Sequence, residues 1–265
     1  MSNININNKK SLVVIPARFN STRLEAKALL RETGKYLVQH VYEQAIQSHA
    51  NKIIIATDDM RIKDVVQSFG GEAILTSSGH PTGTDRVAEV SALFPEYDIV
   101  VNLQGDEPEV DPKLIDTIIA IQKEQDSFMS TLCCPFDINN YQNCNSPSSV
   151  KVVLGQKIPS KEYNIKQALY FSRSLIPFYR ANNQSLNCNN QYFMHIGIYA
   201  YSRASLAQFV KLPTGKLESI ESLEQLRILE HSLTILCGIV TSAHVGIDTR
   251  EDYDLFIKRY NKSFA

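Results

Sequence analysis

The chain has 265 residues, 43% hydrophobic and 21% charged, which suits one α/β domain with elaborations and a sizeable buried core. Its formal net charge of −1 leaves no global positive field to gather nucleic acid or an anionic membrane, so the charge that an anionic ligand needs must be local. The first apolar run, Leu12–Ile15, is far too short for a signal-peptide core or a membrane span, and the five cysteines (Cys133, Cys134, Cys144, Cys188, Cys237) lack CxxC spacing, so they read as reduced cytosolic thiols rather than disulfides or zinc ligands.

In chain order, Leu12–Ile15, Ile53–Ala56, Glu72–Leu75 and Ile99–Leu103 read as buried strands, rich in Ile and Val and bounded by polar or turn residues. Between them, Leu37–Ser48, Met60–Phe69 and Thr84–Leu93 carry apolar positions at helical spacing. Asp58 and Asp59 stand where an N-cap belongs, and Gly70-Gly71 where a helix stops. Strand–helix–strand repetition implies right-handed crossovers and a mainly parallel sheet, whose ligands sit outside the carboxyl ends of the strands. After Pro135 the pattern loosens. Asn-rich loops at 139–145 and 182–190 surround strands at Val150–Leu154, Ala168–Ser172 and Ile196–Tyr201. A helix at Ser219–His231, a strand at Thr234–Val240 and a helix from Arg250 to about Tyr260 close the chain. With no internal repeat and no clean linker, the second half reads as an inserted antiparallel lobe.

Three segments carry candidate chemistry. The loop after the first strand, Pro16 to Lys27, holds Arg18, Arg23 and Lys27 with Ser21 and Thr22. At a strand's carboxyl end such a loop can hold a triphosphate through point charge, forked guanidiniums and backbone N–H groups; it can equally be a solvated loop laced with ion pairs. Asp106 follows the strand Ile99–Leu103 just after Gly105, a placement suited to holding Mg²⁺ between phosphates or to a plain acidic turn. Asp248 follows another strand-like run and reads either as a second metal ligand or as the N-cap of the last helix.

Together these pieces resemble the 3-deoxy-manno-octulosonate cytidylyltransferase (CMP-Kdo synthetase) family. The resembling segments are VIPARFNSTRL, IIIATDD, GTDR at Gly83–Arg86, VNLQGDEP, VKVVL, ALYFSRSLIP, HIGIYAYS, LESIESLEQLRIL and VGIDTREDYD. They run in unbroken order from about Leu12 to Tyr260, and HIGIYAY with LEQLR separates this family from the CMP-sialate synthetases. The resemblance implies a three-layer α/β domain of the nucleotide-diphospho-sugar transferase type, with a mixed, mostly parallel sheet and a smaller antiparallel lobe. It implies one cytidylyltransferase domain over residues 1–265, with a nucleotide-binding half at about 12–135 and a sugar-binding and dimerisation half at about 136–265. The implied partners are CTP, an acidic 3-deoxy sugar and a second copy of the chain, with Mg²⁺ as cofactor and the cytoplasm as location.

Carried over residue by residue, Arg18, Ser21, Arg23 and Lys27 face the triphosphate, with Thr84 and Arg86 nearby. Gln104 touches nucleotide or sugar, and Asp106 and Asp248 bind Mg²⁺. Arg18, Lys27, Asp106 and Asp248 form the catalytic set. Arg173, His195, Tyr199, Tyr201, Glu224 and Gln225 read the sugar acid. The bland alternatives are a hydrogen-bonded core histidine at 195, packing tyrosines at 199 and 201, and an exposed helical glutamate at 224. Two departures stand out. The family's RLPGKPL becomes Arg23-Leu24-Glu25-Ala26-Lys27-Ala28-Leu29, and its GKP becomes Gly34-Lys35-Tyr36. The first replaces a fixed proline by a carboxylate, and a glycine that allows close approach to phosphate by alanine.

Overall fold

The computed structural model describes residues 9–20, 24–136, 144–178, 180, 192–241 and 246–262. They group into two compact units, residues 1–119 with 244–265 and residues 120–243.

In the first unit, β1 (Ser11–Ala17), β2 (Lys52–Thr57), β3 (Ala73–Leu75) and β4 (Ile99–Leu103) form a wholly parallel sheet in the order β3-β2-β1-β4. Every residue of β4 is buried, and so are Leu12 to Ile15 of β1, as parallel strands require. Each crossover carries a helix: α1 (Leu37–Ala45), α2 (Met60–Ser68) and α3 (Gly83–Ala92). α1 buries Leu37, Val38, Val41 and Ala45 along one stripe. Asp59 caps α2 by accepting from the Arg61 amide, and Gly70, at φ 81°, takes the left-handed turn that ends it. α3 begins one residue earlier than its periodicity suggests, because Thr82 and Asp85 form a reciprocal capping box.

Helix α4 (Pro112–Gln125) carries the unit boundary. The sequence reading leaves it unassigned, although its buried Leu114, Ile115, Ile118, Ile119 and Ile121 fall at the spacing of one helical stripe. The last helix, α8 (Arg250–Lys262), groups with the first unit rather than with the segments that precede it in sequence. Its Tyr253 and Phe256 pack with Leu37 and Ile247 in one buried cluster, against which Leu24 and Leu30 also lie.

The second unit contains β5 (Met129–Pro135), β6 (Lys151–Ile158), β7 (Ile165–Ser172), β8 (Phe193–Ser202) and β9 (Ile235–Ile239), ordered β8-β5-β9-β7-β6. β5 and β9 are parallel and the remaining neighbours antiparallel. A short β6–β8 pairing, Lys151 with Met194 and Val152 with Phe193, joins the two end strands. α5 (Arg203–Phe209), α6 (Lys216–Glu221) and α7 (Leu226–Glu230) complete it. The helix expected at Ser219–His231 is in fact α6 and α7, broken where Ser222 turns left-handed at φ 52°. Cys133, Cys134, Cys144 and Cys237 are buried, while Cys188 lies outside the described residues.

Candidate active site

The first unit assembles its polar cluster at the carboxyl edge of β1 and β4. Val14 pairs with Asn102, so the loops after Ala17 and Leu103 leave the same edge. Glycine is required at 105: a Cβ there would lie 2.6 Å from the Pro16 carbonyl oxygen. That close approach sets Asp106 beside the end of β1. The Ile247 amide then donates to the Asp106 carbonyl at 2.8 Å, tying the strand-like segment before α8 to the same point.

Lys27 stands between the two aspartates. Its Nζ lies 2.6 Å from Asp106 Oδ2, 2.8 Å from the Ile247 carbonyl and 3.9 Å from Asp248 Oδ1. Asp248 is not the helix cap. Thr249 is: its hydroxyl accepts from the Asp252 amide, and Asp252 accepts from the Thr249 amide. The two carboxylates therefore already converge on one cation. Their donors are hard oxygens, and among the described residues no group of three or more His, Cys, Asp or Glu forms a protein-only cage. Such a pair fits Mg²⁺, which is commonly held by one or two carboxylates together with substrate phosphates.

The other expected nucleotide residues divide. Arg18 is exposed just past β1. Gln104 Nε2 donates to Asn102 Oδ1, and Asn102 Nδ2 donates to the buried Thr84 hydroxyl, so these three form one polar chain. Arg86 is buried, and its guanidinium pairs with Asp58 at 2.8 Å and donates to Thr76. Asp58 in turn accepts from the Phe19 amide at 3.4 Å, so Arg86 braces the loop after β1 through Asp58. Sequence reasoning weighed Asp58 only as a cap; the ion pair joins β2 to α3 and has no local signature. Ser21 and Arg23 lie outside the described residues.

The second unit brings together most of the expected sugar-reading set. His195 on β8 lies against Phe171 and Tyr199, with ring centroids 4.9 and 5.5 Å away. Burial pushes its pKa down to about 3, so the ring is neutral at physiological pH. The Tyr199 hydroxyl donates to Gln225 Oε1 at 3.4 Å. Gln225 is buried, and its Nε2 has no hydrogen-bond partner among the described residues. Arg173 donates from its guanidinium to the carbonyls of Pro147, Glu221 and Ser222, and among the described residues it makes no direct carboxylate ion pair. Glu224 lies between α6 and α7, one turn past Glu221, and is half-buried. Tyr201 differs: it is buried against Phe209, with its pKa raised well above the usual tyrosine value by burial, which is a core placement.

A family model for Cytidylyltransferase matches residues 12–235. The chain is 42% identical over 249 residues to the 3-deoxy-manno-octulosonate cytidylyltransferase of Fusobacterium nucleatum subsp. nucleatum, covering 94% of this chain and 96% of that one. The chain belongs to the 3-deoxy-manno-octulosonate cytidylyltransferase family. The cytidylyltransferase of the same name from Thermodesulfovibrio yellowstonii is 43% identical over 260 residues, covering 95% and 98% of the two chains. A solved CMP:2-keto-3-deoxy-manno-octonic acid synthetase complexed with CTP superposes with a TM-score of 0.85 at 37% identity, over 96% of this chain and all of that one. The expected α/β fold, with parallel strands joined by antiparallel ones, is thereby the fold of this family.

Against the family's loop, the two departures now have conformations. Ala26, where the family has glycine, sits at φ 47° and ψ 33° and opens the short turn Lys27–Leu29 that presents Lys27. The left-handed backbone is thus kept without the glycine that normally allows it. Glu25 is exposed, so water screens its charge. Tyr36, where the family has proline, has φ −68°, the value a proline ring would impose, so the entry into α1 is unchanged.

Proposed function

We propose that this chain transfers CMP from CTP to 3-deoxy-D-manno-octulosonate, releasing pyrophosphate, in a Mg²⁺-dependent reaction that feeds lipopolysaccharide or capsule synthesis in the cytoplasm. The observation that carries the reading is the convergence of Asp106 and Asp248 on the Lys27 ammonium at the edge of β1 and β4. In the proposed step the sugar's anomeric hydroxyl gives its proton to solvent, its oxygen forms a bond to the α-phosphorus of CTP, and the bond from that phosphorus to the β-phosphate oxygen breaks. Pyrophosphate leaves with the bonding pair. When bound, Mg²⁺ supplies charge compensation at the reacting phosphate, and Asp106 and Asp248 are the residues that would hold it. Lys27 and Arg18, with Ser21 and Arg23, offset the triphosphate charge. Thr84 and Gln104 would contribute from the polar chain they form with Asn102, and Arg86 would act through Asp58. The protein's task is alignment and electrostatics rather than covalent chemistry.

For the sugar acid we assign Arg173, His195, Tyr199, Glu224 and Gln225, supported by the unpartnered Gln225 donor. Residues 1–265 would work as one cytidylyltransferase domain and as a homodimer, the segment before α8 adding Asp248 to the nucleotide half. No helix among the described residues is long and apolar enough to cross a membrane. The test is pyrophosphate release on mixing the protein with CTP, Mg²⁺ and a panel of sugar acids that includes an 8-amino octulosonate and a sialic acid. Stoichiometric CMP-sugar and pyrophosphate with the octulosonate support the reading. Nucleotide binding without turnover on any member would replace it with a binding-only function.

A further inference from the structure

The β5–β8 ladder is regular except at one point. Thr131 pairs with Tyr199 and the next residue, Leu132, pairs with Ile196, so β8 bulges by its extra residues beside the functional histidine. The bulge places the fully buried Thr131 hydroxyl under β8, where Oγ1 lies 2.9 Å from the Ile198 carbonyl, 3.3 Å from the Ile196 carbonyl and 2.9 Å from His195 Nε2. A hydroxyl has a single hydrogen, and a carbonyl can only accept. If that hydrogen went to His195 Nε2, two oxygen lone pairs would meet at 2.9 Å in a buried setting with no proton between them. If it goes to the Ile198 carbonyl, the Thr131 oxygen can accept from an Nε2–H, and both 2.9 Å contacts are bonds, with the Ile196 carbonyl the longer contact at 3.3 Å. The neutral ring of His195 carries one N–H, so placing it on Nε2 leaves Nδ1 as a bare lone pair.

We propose that Thr131 is a positioning residue: its buried hydroxyl, committed as a donor to the Ile198 carbonyl of the bulge, holds His195 in the Nε2–H tautomer and thereby makes Nδ1 the acceptor the ring offers to a hydroxyl of the sugar acid. The proposal rests on the assignment of His195 to the sugar-acid site. It adds a specificity rule, that this ring accepts from the sugar rather than donating to it.

Long-range ¹H–¹⁵N correlation spectra of the full chain's histidine rings read the tautomer directly, with His195 assigned by the signals lost in His195→Asn. The expected result is a protonated Nε2 and a bare Nδ1. In Thr131→Val, which keeps the shape and removes the hydroxyl, that pattern should change, and the sugar-acid KM should rise about fivefold with the CTP KM unchanged. Thr131→Ser, which keeps the hydroxyl, should restore both. A wild-type ring protonated on Nδ1 overturns the proposal even if the valine variant does not fold. So does a folded valine variant with unchanged tautomer and KM, or an equal loss for both substrates that serine does not rescue. Absence of CMP transfer by the wild type would overturn the functional reading and leave the tautomer result standing.

Discussion

At the scale of single residues, charge placement and backbone angle make separate predictions. Lys27 shares Asp106 and Asp248, so amidating either aspartate removes one of the two carboxylates proposed to hold Mg²⁺ while leaving the ammonium one partner. Asp106→Asn and Asp248→Asn should each lower turnover by on the order of a hundredfold with the fold intact, because several kcal/mol of transition-state stabilisation is lost; circular dichroism beside steady-state kinetics checks both. Ala26→Gly poses a balance. Relieving a left-handed alanine gains about 1 kcal/mol in the folded chain, and the added freedom of glycine when unfolded costs about 0.4–1 kcal/mol. Urea denaturation should therefore show a change below about 1 kcal/mol, and a loss above twice that would mean the alanine methyl makes contacts the turn depends on. His40 gives a pH signal. Burial lowers its pKa to about 4, beneath the ordinary 6.5, while its Nε2 contacts Thr33 and its ring meets Phe256 and Tyr260 edge-on. The unfolded chain then binds the proton more readily. The stabilisation is complete above pH 6.5 and decays as pH falls toward 4, by on the order of 2 kcal/mol at pH 5. His40→Gln should flatten the stability curve between pH 6.5 and 4; an equally steep curve would place the titrating group elsewhere.

At the scale of elements, the junction between the ends of β1 and β4 decides where Asp106 lies. A methyl at residue 105 would meet the Pro16 carbonyl at 2.6 Å, and that atom belongs to backbone, which cannot swing aside. Gly105→Ala should cost about 1–3 kcal/mol of stability. It should also reduce turnover more than a stability loss of that size explains, because the whole loop shifts away from Lys27. A variant with normal kcat and a normal melting temperature would show that the loop position is unimportant. The α8 start works differently: Thr249 and Asp252 cap each other, which leaves Asp248 outside the cap and beside Lys27.

At the scale of the whole molecule, the balance of charge without metal is informative. The ammonium of Lys27 offsets one of the two carboxylate charges beside it and ties both side chains to the same point. Chelation by EDTA should therefore abolish CMP transfer while moving the melting temperature of the ligand-free protein by no more than about 2 °C, and Mg²⁺ should restore the activity. A large drop in melting temperature on chelation would identify a structural metal.

Local pattern in the sequence was enough for the strands of the parallel sheet, the caps at Asp59 and Gly70, and the loop and carboxylates at strand ends, since each depends on neighbours in the chain. The ordered motifs identified the family, and the closing Asp248 with them. Other features depend on residues far apart in sequence meeting in space. Arg86 pairs with Asp58, Tyr201 is buried against Phe209, and Ser222 broke one expected helix into two. The same holds for the grouping of α8 with Leu37, and for the bulge that sets Thr131 beneath His195, because a strand's register and a side chain's partner are fixed by packing and hydrogen-bond geometry rather than by any local run of residues.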